Sequence, residues 1–498
     1  MTALKSKTRT YLLSALVETG LLRTKGLVDG KWLSAASGET FQVKDPATNN
    51  EVASVAAFGE LDTKLAVAAA EKSFGAWGSK TMQERGRVLS RWSSLISEKS
   101  TDIATIMCLE SGKPKMESKG ELNYAMSFIN MYASMQTGGQ VLPAQTDDHL
   151  LLATKEPVGV CSLLTPWNFP AAMFARKAAP ALMAGCTFVL KPAEDTPLTA
   201  LALAWLWEEA GGPSGVVNVV PTPRESVQEV GHVLSTNEAV RKISFTGSTA
   251  VGKILLKQAA STVKRTSMEL GGNAPFVVFD DANLDRAVDG AMTAKFRFGG
   301  QVCIAPNRFM VQEGVYEEFV AKMASRISAL CVGDGLDPKT NMGPLINLKA
   351  REKVAGLVDD AVEKGAETVC GGNVEHEMGP NFFAPTLLSG VTRDMRISQE
   401  EIFGPVVAVM KFKEAGEALA TSNSSRSGLA GYVYTQDYSR AMRFAGKLEV
   451  GMVGINESYI SSCVVPFGGV KESGMGREGS TMGLDEFMEV KHICLGGM

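Results

Sequence analysis

Two glycine-bordered segments carry the residues of this chain best suited to covalent chemistry. One is Lys295-Phe296-Arg297-Phe298-Gly299-Gly300-Gln301-Val302-Cys303, and the other, upstream, is Met268-Glu269-Leu270-Gly271-Gly272. A thiolate can add to a carbonyl carbon. If the adduct then expels hydride onto an acceptor held in place, the thioester left behind must be hydrolysed by an activated water. Cys303 has the side chain for the first half of that chemistry and Glu269 the side chain for the second. Gly299 and Gly300 let backbone approach a ligand closely, and Ile304-Ala305-Pro306-Asn307 reads as a constrained loop after the thiol. A free cysteine is more often a small buried hydrophobe. That is the reading for Cys108, Cys161, Cys186, Cys331, Cys370, Cys463 and Cys494.

The remaining composition narrows the chemistry by exclusion. No two cysteines are spaced as CxxC, and the four histidines, His149, His232, His376 and His492, do not form HExxH, so neither a metal site nor a disulfide framework is expected. Histidine-based acid–base chemistry has little to work with. A formal net charge of −4 gives no basic footprint for nucleic acid. Pro157 to Ala175 is uncharged and of nominal membrane-spanning length, but Pro157, Pro166, Asn168 and Pro170 interrupt it, and no membrane helix is expected. The amino terminus places Lys5, Lys7 and Arg9 before its first acid, Glu18, without the apolar run of a secretion signal. It reads as a cytoplasmic surface helix, with a mitochondrial presequence as the alternative.

At 498 residues the chain is too long for one ordinary core, and a prior of about 150 residues per domain suggests more than one domain. Residues near 60–136 read as helices, with Asp62-Thr63 capping an Ala-rich stretch to Phe74 and a further helix from Glu84 to Lys99. From Glu156 the pattern changes. Val158–Leu164, Thr187–Leu190, Val216–Val220 and Lys242–Phe245 read as strands, separated by helices at 171–184, 198–210 and 251–260. Phe276–Phe279 and Arg308–Gln312 follow as strands, and Val315–Leu330 as a helix. Such alternation implies βαβ units and a parallel, doubly wound sheet.

Seven segments in order sharpen this reading: Pro166-Trp167-Asn168-Phe169-Pro170, Lys191-Pro192-Ala193-Glu194, Phe245-Thr246-Gly247-Ser248-Thr249, Glu269-Leu270-Gly271-Gly272, Cys303, Glu401-Ile402-Phe403-Gly404-Pro405 and Pro466-Phe467-Gly468-Gly469. Together they resemble the motif set of the aldehyde dehydrogenase superfamily, from about Leu27 to the carboxyl terminus. Within it the chain is most similar to the succinate-semialdehyde dehydrogenases, through Met173-Phe174-Ala175-Arg176-Lys177, Lys295-Phe296-Arg297, Ile460-Ser461-Ser462 and Gly474 to Ser480.

The resemblance implies an α/β enzyme with a Rossmann-like doubly wound cofactor domain, an α/β catalytic domain and a small β oligomerisation element. The expected boundaries are 1–137 and 158–270 for the NAD-binding domain, 271–470 for the catalytic domain, and 138–157 with 471–498 for the oligomerisation element. It implies oxidation of an aldehyde through a cysteine thiohemiacetal and thioester, with Cys303 as nucleophile and Glu269 as the base that activates water. Asn168 would donate its amide to the oxyanion, and Glu478 would serve as a second carboxylate in a proton relay. Trp167, Lys191, Glu194, Gly247, Ser248, Leu270, Glu401 and Phe403 would hold the cofactor. Glu194 on the adenosine ribose favours NAD over NADP, because a carboxylate repels a 2′-phosphate. Arg176, Arg297 and Ser461 would grip the distal carboxylate of succinate semialdehyde, and Phe467 would wall the substrate tunnel. Another semialdehyde or an aromatic aldehyde is the alternative substrate, and a homodimer or homotetramer the expected assembly. Phe298 replaces an Asn of the resembled enzymes, and Phe174-Ala175 replaces Ile-Thr, two added rings that would narrow the tunnel or shift it toward aromatic or branched aldehydes. Ala305 replaces a second cysteine, which removes any disulfide within the nucleophile loop.

Overall fold

The structure is a computed structural model describing residues 2–497, with the side chains of 9–497. The alternating strands and helices after Val158 build an eight-stranded sheet. Its parallel centre runs in the spatial order Val217–Val219, Thr187–Lys191, Val160–Leu164, Val240–Thr246, Arg265–Glu269. Val160–Leu164 and Thr187–Lys191 are buried throughout, as strands covered by helices on both faces must be. The winding reverses between Val160–Leu164 and Val240–Thr246. In open α/β sheets the crevice at the carboxyl ends of such strands is where ligands bind. Trp167 and Asn168 follow the first of these strands, Gly247 and Ser248 follow the second, and Glu269 ends the neighbouring third.

A second sheet of seven strands runs Glu367–Cys370, Thr386–Ser389, Val406–Phe412, Pro306–Gln312, Ala274–Val278, Ala430–Tyr434, Met452–Ile455, antiparallel only at its first edge. Cys303 lies between the helix Leu284–Phe296 and the strand Pro306–Gln312. A third sheet pairs Gln140–Leu142 and Met488–Gly496 on either side of His149–Pro157. Parts of the two segments expected to form the oligomerisation element, 138–157 and 471–498, are therefore joined in one ribbon, whose Val141, Val490, Ile493 and Leu495 are exposed.

Some expectations are corrected. The helix expected to be capped at Asp62 begins at Glu60, because Asp62 accepts the N–H of the cap residue Gly59 from inside the first turn. The helix expected from Glu84 is Met82–Glu98, with Thr81 and Glu84 in a reciprocal capping box. Of the seven cysteines read as buried, only Cys108, Cys161 and Cys186 are. Cys370 and Cys463 are half-buried and Cys331 and Cys494 exposed, Cys494 because it lies on the open ribbon. Residues Thr2–Glu18 do form a helix. It is docked by Arg9, whose Nε meets Asp45 at 2.5 Å and Nη1 meets Asp334 at 2.8 Å; the side chains of Lys5 and Lys7 lie outside the described residues. No described helix is long and apolar enough to cross a membrane.

Candidate active site

One cavity of about 730 Å³ opens between the two large sheets. Trp167, Asn168, Arg176, Glu194, Gly247, Ser248, Glu269, Leu270, Arg297, Cys303, Glu401, Phe403, Ser461 and Phe467 all line it. Of the residues predicted from sequence, Lys191 and Glu478 are not among its lining; each meets a residue that is, Lys191 lying 3.9 Å from Glu194 and Glu478 pairing with Arg176.

The glycines noted in the sequence fit the two reactive segments together. A Cβ on Gly272 would sit 2.4 Å from the carbonyl oxygen of Cys303, so only glycine lets the Glu269 segment pack against the Cys303 loop. Gly300 has φ +75°, and a Cβ there would meet the Gly404 carbonyl at 2.2 Å, which ties the same loop to the Glu401 segment. Cys303 is half-buried. Burial pushes its thiol up to about 12; Arg176 opposes the rise, Glu401 and Glu269 add to it, and Arg297 opposes it. The resting thiol is therefore protonated at neutral pH, and these two arginines are cations that favour its ionisation.

Glu269 ends its strand with Oε2 buried and without a hydrogen-bond partner. Burial raises its carboxyl well above the ordinary range, the charge of Glu478 adds to the rise, and Arg176 and Lys177 oppose it. Glu478 itself is locked to Arg176 and Lys177 by buried ion pairs. Burial alone would raise it, but those two cations outweigh burial and hold it at about 2. A carboxylate so held is a counter-ion, poorly suited to accepting a proton at neutral pH. Two backbone hydrogen bonds, at 2.7 and 2.8 Å, join Glu478 to Phe467, whose ring lies 4.1 Å from the Arg176 guanidinium.

At the far end, Arg176 Nη2 and Arg297 Nε are buried without hydrogen-bond partners. Ser461 Oγ contacts the Tyr124 hydroxyl. Asn168 donates one amide N–H to the Gln301 carbonyl at 2.9 Å, leaving its second N–H for another acceptor.

The two added aromatic rings do not narrow this space. Phe174 packs in the cofactor-side core between Trp92 and Phe188 and, unlike Met173 and Arg176, does not line the cavity. Phe298 adopts φ +46°, which turns its fully buried ring edge-on beneath Trp167 and Phe169 and under the Lys113 ammonium. Phe403, also left-handed at φ +55°, sets its ring edge-on to Trp167 at 5.4 Å.

The cofactor end is built for a dinucleotide. Ser248 caps the helix Thr249–Ala259, whose first turn follows the strand directly, a geometry that offers backbone N–H groups to a pyrophosphate. Thr246 Oγ1 is buried and unpartnered beside it. Glu194 lies 3.9 Å from Lys191 and 3.8 Å from Arg224. Glu401 accepts the Gly272 N–H at 3.0 Å.

Sequence reasoning missed a whole wall. Lys113, Glu117, Glu121 and Tyr124 line the cavity from the start of the helix Lys115–Ser134 and the turn before it. The signal was the spacing of 117, 121 and 124, which puts a carboxyl, a carboxyl and a phenol on one helical face.

A family model described as the aldehyde dehydrogenase family matches residues 32–493. Mitochondrial succinate-semialdehyde dehydrogenase of Mus musculus is 51% identical over 481 residues, covering 96% of this chain and 91% of the relative. Succinate-semialdehyde dehydrogenase [NADP(+)] GabD of Escherichia coli (strain K12) is 48% identical, covering 97% and 99%. A crystal structure of succinate-semialdehyde dehydrogenase from Burkholderia pseudomallei superposes with a TM-score of 0.94 at 47% identity, covering 96% of this chain and 98% of that one.

Proposed function

The chain belongs to the aldehyde dehydrogenase family, and from that premise we propose that it oxidises succinate semialdehyde to succinate with NAD. The observation that carries the substrate assignment is that the buried Arg176 and the half-buried Arg297 line the same cavity as Cys303, each with one guanidinium nitrogen without a partner. Buried donors are nearly always satisfied. A carboxylate tail in this cavity would accept hydrogen bonds from the two guanidinium groups, and Ser461, which lines the same cavity, would add a hydroxyl.

In this reading Arg176 and Arg297 hold the tail while the aldehyde carbon rests against Cys303. The thiol gives its proton to solvent water, its sulfur bonds to the carbonyl carbon, and the carbonyl π pair moves onto the oxygen. Asn168 donates its free N–H to the oxygen that gains charge. When bound, NAD supplies the hydride acceptor, held by Ser248 and Gly247 at the pyrophosphate, by Lys191 and Glu194 at the adenosine ribose and by Glu401 at the nicotinamide ribose, with Trp167, Leu270 and Phe403 packing around it. Glu269 then takes a proton from water, whose oxygen attacks the thioester and releases succinate and the Cys303 thiol. Glu478 holds Arg176 in place from behind and adds to the basicity of Glu269.

The substrate assignment predicts that succinate semialdehyde outperforms butanal in kcat/KM by roughly tenfold to a hundredfold, since hydrogen bonds to a charged group contribute about 1.5–3 kcal/mol. Arg297→Ala should erase the difference mainly through KM, because the tail is held alike in ground and transition states. Butanal or benzaldehyde matching succinate semialdehyde in the unaltered enzyme would move the substrate to the alternative, an uncharged or aromatic aldehyde.

The NAD preference rests on Glu194. We expect kcat/KM with NAD to exceed that with NADP by about tenfold or more, equivalent to about 1.4 kcal/mol, and Glu194→Ser to shrink the gap. Equal use of both by the unaltered enzyme would refute it.

The proposed domains are 1–137 and 158–270 around the cofactor, 271–470 carrying Cys303, and 138–157 with 471–498 for self-association as a dimer or tetramer; of the last segment only Met488–Gly496 lies in the ribbon, while Gly474–Met475 pairs with Arg265–Glu269 in the cofactor sheet. The exposed apolar residues on that open-edged ribbon support the last point. The location proposed is cytoplasmic, with mitochondria as the alternative suggested by the mouse relative's name.

A further inference from the structure

In the cavity wall a deeply buried ion pair grips the segment that carries Asn168. Lys113 and Glu121 are each 1% exposed, and the Lys113 ammonium bonds Glu121 Oε2. The same ammonium donates to the main-chain carbonyl of Asn168 at 2.8 Å and lies 3.9 Å from the centre of the Phe169 ring and 4.4 Å from that of Phe298. The other oxygen of Glu121 accepts the N–H groups of Ala171 and Ala172, at 2.9 and 3.1 Å, at the start of the helix Pro170–Ala184. One pair therefore holds the main chain on both sides of Phe169. The Asn168 amide is held separately, through the Gln301 carbonyl.

We propose that the Lys113–Glu121 pair positions the Asn168 amide for the oxyanion, an inference that rests on Asn168 serving as the donor. Stability alone does not call for the pair, since well-packed apolar residues commonly replace a buried ion pair without loss. Geometry does. Charge-assisted hydrogen bonds are roughly twice as strong as neutral ones, and a displacement of about 1 Å in a catalytic constellation can cost about a hundredfold. Lys113 acts through Asn168 and is a positioning residue.

The test is a double-mutant cycle read on the rate of the first NADH burst with succinate semialdehyde. Asn168→Ala should slow the burst by about 10²–10³-fold. Lys113→Met should slow it by about tenfold to a hundredfold, leave the Kd for NAD unchanged, and be largely rescued in Lys113→Arg. In the Asn168→Ala background Lys113→Met should cost little more, because the group it positions is already gone. Losses that multiply in the double variant, or an unaltered burst in Lys113→Met, would overturn the positioning role while leaving Asn168 as donor. An unaltered burst in Asn168→Ala would overturn the donor assignment itself, and this inference with it. Should Lys113→Met not fold, Glu121→Gln keeps an acceptor for Ala171 and Ala172, removes the charge pair and carries the same comparison.

Discussion

Cys303→Ala is expected to lose turnover by at least about a thousandfold, the scale on which enzymes fail when a covalent nucleophile is removed. No neighbouring group replaces it. Among the seven other cysteines, three are buried in the cores and none lines the cavity. The dinucleotide would still bind, since Ser248, Glu194 and Glu401 stand apart from the thiol in sequence and on other elements. The measurement is steady-state NADH formation beside an equilibrium titration of NAD. Turnover within tenfold of the unaltered enzyme would remove the covalent step from the mechanism.

Glu269→Gln is expected to separate the two halves of the reaction. Acylation needs the thiol and the oxyanion donor, so one equivalent of NADH should appear rapidly. Deacylation needs the base, and the following steady state should fall by about 10²–10⁴-fold. The pH profile carries a second signature. Burial and the charge of Glu478 raise the carboxyl of Glu269, and the base works only when deprotonated. Deacylation in the unaltered enzyme should therefore rise with pH through a value above the ordinary carboxylate range of about 4.3 and then level off. Glu269→Gln should lack that limb. Full steady-state turnover in the variant, or an acid limb at the ordinary carboxylate value, would contradict the assignment.

The parallel sheet, and the meeting of Cys303 and Glu269 in one cavity, are legible because their signals are local. Short apolar runs between helices mark buried strands, and a thiol or acid beside glycines marks a close backbone approach. Phe298 was misread because its ring direction depends on a left-handed backbone that a non-glycine residue seldom adopts. Asp62 was misplaced because an acid can cap a helix from inside its first turn. The Lys113 ammonium reaches Asn168 across 55 residues of sequence, and the Phe298 N–H donates to Glu117 across 181. No periodicity encodes such contacts. The sequence pointed to Glu478 as a relay, but its pairing with Arg176 and Lys177 is visible only once the strand end near Met475 and the helix Pro170–Ala184 are packed together.

The central claim is that substrate becomes a thioester on Cys303. Its most direct test is to mix Glu269→Gln enzyme with NAD and succinate semialdehyde, quench in acid once the NADH burst is complete, and record the mass of the peptide carrying Cys303. This peptide should gain the mass of one succinyl group, in proportion to the NADH formed. An unmodified Cys303 peptide beside a full equivalent of NADH, or the added mass on a different residue, would contradict it.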